Sequence, residues 1–111
     1  MKVQHYTETF AEPQDVPGVT IRWVIGREDD APNFAMRVIE VEAGCNTPYH
    51  THGFEHEVFV LAGDGVVRDE AGEETAVSAG TVVYVPPDEV HGFFNRGDGP
   101  MRFICVIPHQ D

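Results

Sequence analysis

The sequence predicts an all-β protein, a barrel or sandwich of roughly seven to ten short strands. Three observations carry that expectation. Turn-forming clusters recur along the whole chain, the segments between them are rich in β-branched and aromatic residues, and none of those segments carries a capped amphipathic helical pattern.

The turn signals, in order, are "QDVPG" at 14–18, "REDDAPN" at 27–33, "EAGC" at 42–45, "AGDG" at 62–65, "DEAGEE" at 69–74, "SAG" at 78–80, "PPDE" at 86–89 and "NRGDGP" at 95–100. Gly, Pro, Asn and Asp supply the backbone conformations that reverse a chain. Between the turns lie "VTIRWVIG", "FAMRVIEVE", "EVFVLAG", "GVVRDE", "TVVYV", "HGFFN" and "MRFICVIP". Several are apolar on both faces, which suits strands covered by a core on one side and by a second sheet or subunit on the other. The N-terminal "KVQHYTETF" reads as a further strand able to join a neighbour's sheet, and a homodimer is expected.

A chain of 111 residues with 41% apolar and 23% charged residues has the composition of one globular domain, here spanning residues 1–111. Its net charge of -12 opposes phosphate backbones and anionic lipid surfaces, so neither nucleic acid nor membrane is an expected partner. No apolar run is long enough to span a bilayer, and "MKVQHYTETF" lacks the apolar core of a signal peptide, so a cytoplasmic location is the expectation. Cys45 and Cys105 form no disulfide framework and no zinc-ribbon pattern; they read as free thiols that pack. The acidic turns read as solvated loops.

The chemistry concentrates in "HTHGFEHEVFVLAG", residues 50–63, which holds three of the six histidines. In an extended strand His50 and His52 point to one face and present two imidazoles side by side. A third histidine at His56 and a fourth at His91, after "VPPDEV", complete a potential mononuclear site once the sheet closes. Neutral imidazole suits zinc, copper, iron and nickel and accepts manganese. A lone histidine is more often a satisfied structural residue, but this spacing within a strand pattern favours ligation.

The stretch Gly44 to Gly63, "GCNTPYHTHGFEHEVFVLAG", resembles the first motif of the cupin family, G-x5-H-x-H-x(3,4)-E-x6-G. The stretch Gly80 to Asn95, "GTVVYVPPDEVHGFFN", resembles the second, G-x5-P-x-G-x2-H-x3-N. The resemblance implies a single cupin barrel, a double-stranded β-helix of the jelly-roll kind, with the histidines of both motifs and the glutamate of the first holding one metal ion. Asp88 stands where the second motif has its second glycine, and aspartate tolerates left-handed conformations better than most residues.

The glutamate position is the larger departure. Counting forward from His52 allows either His56 or Glu57, whereas counting back from Gly63 by the family spacing reaches His56. Strand parity also favours His56 if no bulge intervenes. The resulting set, His50, His52, His56 and His91, resembles a subgroup of small bacterial cupins with a four-histidine manganese or iron centre. Glu57 remains the alternative third ligand, and Glu55 reads as a loop carboxylate.

Four neutral ligands would leave the charge of a divalent ion uncancelled and make it a stronger Lewis acid. One divalent transition metal per chain is implied, manganese or iron first, with zinc, nickel, copper and cobalt also compatible. Phe93, Phe103, Cys105 and Ile107 are candidate pocket residues, core packing being at least as good an account of the phenylalanines; Cys105 is placed near the ion without ligating it. Arg37, in "FAMRVIEV", is either an exposed strand charge, the favoured reading, or an inward group holding a substrate carboxylate. Trp23, Tyr49 and Tyr84 read as core or interface residues, and His5 and His109 carry no motif.

Apart from the Glu55 and Glu57 pair, no residue stands out beside the ligands as a general base, which suits oxygen chemistry. The resemblance thus implies a dioxygenase-type oxidoreductase that brings a small organic substrate together with dioxygen or peroxide. An isomerase or epimerase of a small sugar or keto acid, and a non-catalytic metal- or ligand-binding module, are the alternatives.

Overall fold

The computed structural model describes residues 1–110. Nine strands follow in chain order: β1 (Glu12–Pro13), β2 (Val19–Ile25), β3 (Phe34–Val41), β4 (His56–Ala62), β5 (Asp64–Arg68), β6 (Glu74–Ser78), β7 (Val82–Val85), β8 (Gly92–Asn95) and β9 (Met101–Pro108). They form a six-stranded sheet in the order β1-β2-β3-β9-β4-β7 and a three-stranded sheet in the order β6-β5-β8, with every pairing antiparallel. The architecture is the cupin jelly roll, built as two facing sheets rather than as one closed ring of hydrogen bonds.

Alternation fixes which side chains face inward. Along β9, Met101, Phe103, Cys105 and Ile107 are buried while their neighbours are half-buried. Along β4, His56, Val58 and Val60 are buried while Glu57, Phe59 and Leu61 are exposed. These inner faces meet Val19, Ile39, Val41, Val77 and Phe93 in the core, and the Phe93 and Phe103 rings lie 4.6 Å apart. Phe93 and Phe103 are therefore core residues, and Ile107 packs with them while also lining a cleft.

The segment from Cys45 to His50 extends the smaller sheet alongside β8. Bridges pair Asn46 with Phe94 and His50 with His91, and the backbone amide of each histidine of the second pair donates to the other's carbonyl. At the opposite end of the molecule, Asn95 is buried and donates through Nδ2 to the carbonyls of Val41 and Gly99, both at 2.9 Å, while its Oδ1 accepts from the amide of Gly97. Beside it, Gly63 has a φ of +98° and runs so close to Met101 that an added Cβ would stand 2.7 Å from the Met101 Cα. That glycine, which anchors the backward count to His56, is thus required on two grounds.

The N-terminal segment departs from the sequence reading. It is not a strand awaiting a neighbour: Tyr6–Glu8 form a single 3-10 turn closed by reciprocal bonds between His5 and Glu8. It folds back on its own chain, where Arg22 donates to the carbonyls of Thr7 and Thr9 and Lys2 to that of Val24. Trp23, Tyr49 and Tyr84 are not core residues either, being 44%, 41% and 59% exposed. Tyr84 belongs to an outward apolar strip with Phe59, Leu61 and Val82.

Candidate metal centre

Three parts of the chain bring the four histidines together. His50 is held on the bridge to His91, His52 lies in the loop before β4, His56 opens β4 on its inward face, and His91 directly precedes β8. The loop from His52 to Glu55 is not strand, so parity does not carry the register across it; the alternation within β4 itself turns His56 inward and Glu57 outward. The second motif is tied to this loop where the Asp88 amide donates to the His52 carbonyl at 2.8 Å. Asp88 adopts a φ of +69°, the left-handed conformation its glycine-like position requires.

The nitrogens of His50, His52 and His91 lie within 4.8 Å of one another. His56 reaches the same group, its Nε2 being 2.7 Å from the Nε2 of His52 and its ring centroid 5.2 Å from that of His91. His56 and His91 are buried, His52 is half-buried, and His50 lies toward solvent.

The opposite ring nitrogens fix the tautomers. Nδ1 of His52 faces the carbonyl of Phe54 at 3.2 Å, and Nδ1 of His91 faces that of Glu89 at 2.9 Å. A carbonyl only accepts, so each Nδ1 carries the proton and each Nε2 turns its lone pair toward the cluster. Nδ1 of His56 lies 2.8 Å from Cys105 Sγ, a contact that orients the ring without fixing its tautomer, because a thiol both donates and accepts. Burial also holds the imidazoles neutral: it depresses His50, His52 and His56, His56 to about 3, with the nearby Arg37 guanidinium lowering them further.

The Nε2 atoms of His52 and His56 stand 2.7 Å apart, a spacing bridged either by the single proton of a neutral imidazole or by a cation that both lone pairs face. Two ligands at right angles on one ion, each about 2.1 Å from it, stand about 3 Å apart. The donor set therefore fits a transition metal. Outer partners that fix ring orientation, as the Phe54 and Glu89 carbonyls do here, are typical of histidine metal sites.

Arg37 reverses the favoured sequence reading. It is 8% exposed and inward, its guanidinium 5.3 Å from the centroid of the Trp23 ring. Nη2 donates to Cys105 Sγ at 3.0 Å, and the same nitrogen approaches His56 Nδ1 at 3.4 Å. Cys105 is fully buried, and desolvation pushes its thiol upward despite the opposing influence of Arg37. Glu57 projects to the outer face, paired across the sheet with Tyr84; desolvation first, then Glu55, raises its carboxyl.

With this geometry in view, comparison identifies the family. Residues 37–107 match the profile described as Cupin domain, and the chain belongs to that family. The oxalate-binding protein of Thermotoga maritima is 30% identical over 70 residues, 62% of this chain and 57% of that relative; the chain thus spans little more than half the length of that curated relative. Among solved structures, the polyketide cyclase RemF from Streptomyces resistomycificus is 32% identical, with a TM-score of 0.93 over 99% of this chain and 80% of its own. A Thermotoga maritima structure described as a predicted oxalate decarboxylase superposes with a TM-score of 0.85 at 22% identity, covering 98% of this chain and all of that one, and shows the shared fold.

Proposed function

We propose that this cupin is a metal-dependent enzyme that binds a small oxygen-bearing organic substrate at a centre formed by His50, His52, His56 and His91. The observation supporting this reading is that the nitrogens of His50, His52 and His91 lie within 4.8 Å of one another, with His56 Nε2 2.7 Å from that of His52 and Glu57 facing away. A divalent ion held by neutral ligands keeps its full charge and polarises carbonyl, enolate or dioxygen ligands. The chain supplies orientation through the Phe54 and Glu89 carbonyls and a dry inner wall through Val58, Phe103 and Cys105.

Two reactions suit such a centre. Cyclisation of a polycarbonyl substrate is the leading one, supported by the likeness to RemF across almost the whole chain. A dioxygenase reaction is the second, favoured because the metal-capable cluster among the described residues is made of imidazoles and includes no carboxylate. The test is metal analysis of protein purified without added metal, followed by assays of iron-, manganese- and zinc-loaded samples with poly-β-carbonyl substrates in an oxygen-electrode cell. Product formation without oxygen uptake supports cyclisation, and substrate-dependent uptake supports the dioxygenase. A protein that binds none of these metals overturns both.

The outward strip of Phe59, Leu61, Val82 and Tyr84 supports a homodimer through the larger sheet. Light scattering of the wild type and of Val82→Lys tests it: a monomer in the wild type removes the idea.

A further inference from the structure

Arg37 is a buried cation without a counter-ion. Its side chain is 92% sequestered, its Nε is buried with no hydrogen-bond partner, and no carboxylate lies within ion-pair distance of it among the described residues. Its recorded polar neighbours are the Cys105 sulfur and the His56 ring nitrogen, neither of which supplies a full negative charge as a carboxylate would. The Trp23 face adds a cation–π contact, which is weaker than an ion pair. Burying a guanidinium costs several kcal/mol unless an anion compensates it. Other arginines are satisfied: Arg68 and Arg96 share Glu74, Arg102 binds Glu40, and Arg22 donates to the carbonyls of Thr7 and Thr9.

Position gives this unpaired charge a purpose. Arg37 pairs across the sheet with Cys105 on one side and Trp23 on the other, so its guanidinium stands directly behind His56 on the inner face. Ala35 and Ile107, the next inward pair, line a cleft of about 750 Å³ together with Trp23 and Phe10. Glu8, Glu12, Glu28 and Asp29 also border it, Lys2 and Arg27 offset part of that charge, and Arg37 lies outside the lining, beside Trp23. Trp23 therefore touches both the guanidinium and the cleft.

We propose that Arg37 is the anion-binding residue of this site, and that the ligand carries a carboxylate or enolate which settles on the guanidinium while its organic body extends along Trp23 into the cleft. The proposal deepens the metal-enzyme reading by naming the substrate class: an organic anion, with its charge at the end nearest the histidines. A neutral analogue of the same shape leaves Arg37 buried and uncompensated, so the site discriminates on charge.

The test is calorimetric titration of acetate, benzoate and 3-phenylpropanoate, each against its neutral amide, with the fluorescence of Trp23, the only tryptophan in the chain, as a second readout. Wild type, Arg37→Gln and Arg37→Lys are compared, each zinc-loaded and metal-stripped, with metal content and circular dichroism measured on every sample. At least one acid is expected to bind ten-fold or more tightly than its amide; Arg37→Gln abolishes that preference and Arg37→Lys restores part of it. Preference that persists in the stripped wild type supports the anion site even if the metal reading fails. Preference that needs zinc and survives Arg37→Gln overturns the anion site and leaves the metal reading standing. Failure of every acid to bind the wild type also overturns it. If Arg37→Gln does not fold, the lysine variant carries the comparison, and an unchanged acid affinity there counts against the proposal.

Discussion

The Nδ1 of His56 lies 2.8 Å from Cys105 Sγ, on the side of the ring away from the Nε2 that faces His52. A thiol is thus the partner that orients this imidazole, in the place that a carbonyl takes for His52 and His91. Cys105→Ala should free the His56 ring and lower metal affinity by roughly ten- to a hundred-fold, the usual cost of losing an outer partner. Cys105→Ser should recover much of it. Competition titrations against a chelator measure both, and equal affinity in all three proteins would remove the orienting role.

His56→Ala should abolish stoichiometric metal binding, whereas Glu57→Ala should leave it intact. Elemental analysis after dialysis decides between them. Metal retained in the first variant and lost in the second would restore the glutamate to the ligand set.

Acid should destabilise the metal-free protein. His56 is depressed to about 3 and His50 and His52 are also lowered, all chiefly by desolvation, so these rings stay neutral where the unfolded chain takes up protons near 6.5. For His56 the unfolded state binds more protons between about pH 6.5 and 3, and stability is lost as pH falls, by at most about 1.4 kcal/mol per pH unit; His50 and His52 act in the same direction. Thermal melts of stripped protein between pH 7 and 5 should show a falling Tm, with a shallower fall in His56→Phe. A flat profile would contradict the burial of the His56 ring.

Asn95→Ala should cost about 2–4 kcal/mol, because it strands the Val41 and Gly99 carbonyls and the Gly97 amide. Urea denaturation reads the loss. Metal affinity of the folded variant should match the wild type, since Asn95 contacts none of the four histidines.

The strand β4 shows how far sequence carries. Its alternation and the fixed spacing back from Gly63 place His56 inward, and the Gly63 backbone, pressed against Met101, explains why that count holds. Asp88 likewise kept the left-handed turn that its motif position demanded. Arg37 was not legible, because its burial depends on Trp23 and Cys105, partners on strands that only the folded sheet places beside it. The strand β6 escaped for another reason: Val77 is its only buried residue, so "ETAVS" has no apolar rhythm to detect. The N-terminal segment misled because a local bond between His5 and Glu8 outweighs the extended pattern of "KVQHYTETF".

Arg37 pairs with Cys105, and Val41 pairs with Met101 four residues further along the same two strands, a separation of about 13 Å at ordinary strand rise. The amide of Asn95 clamps that far end, out of reach of the imidazoles. Fastening and chemistry are thus lodged at opposite poles of one short barrel. Side chains around the histidines can be exchanged, and a new reaction tried, while the knot that keeps the sheets together stays tied.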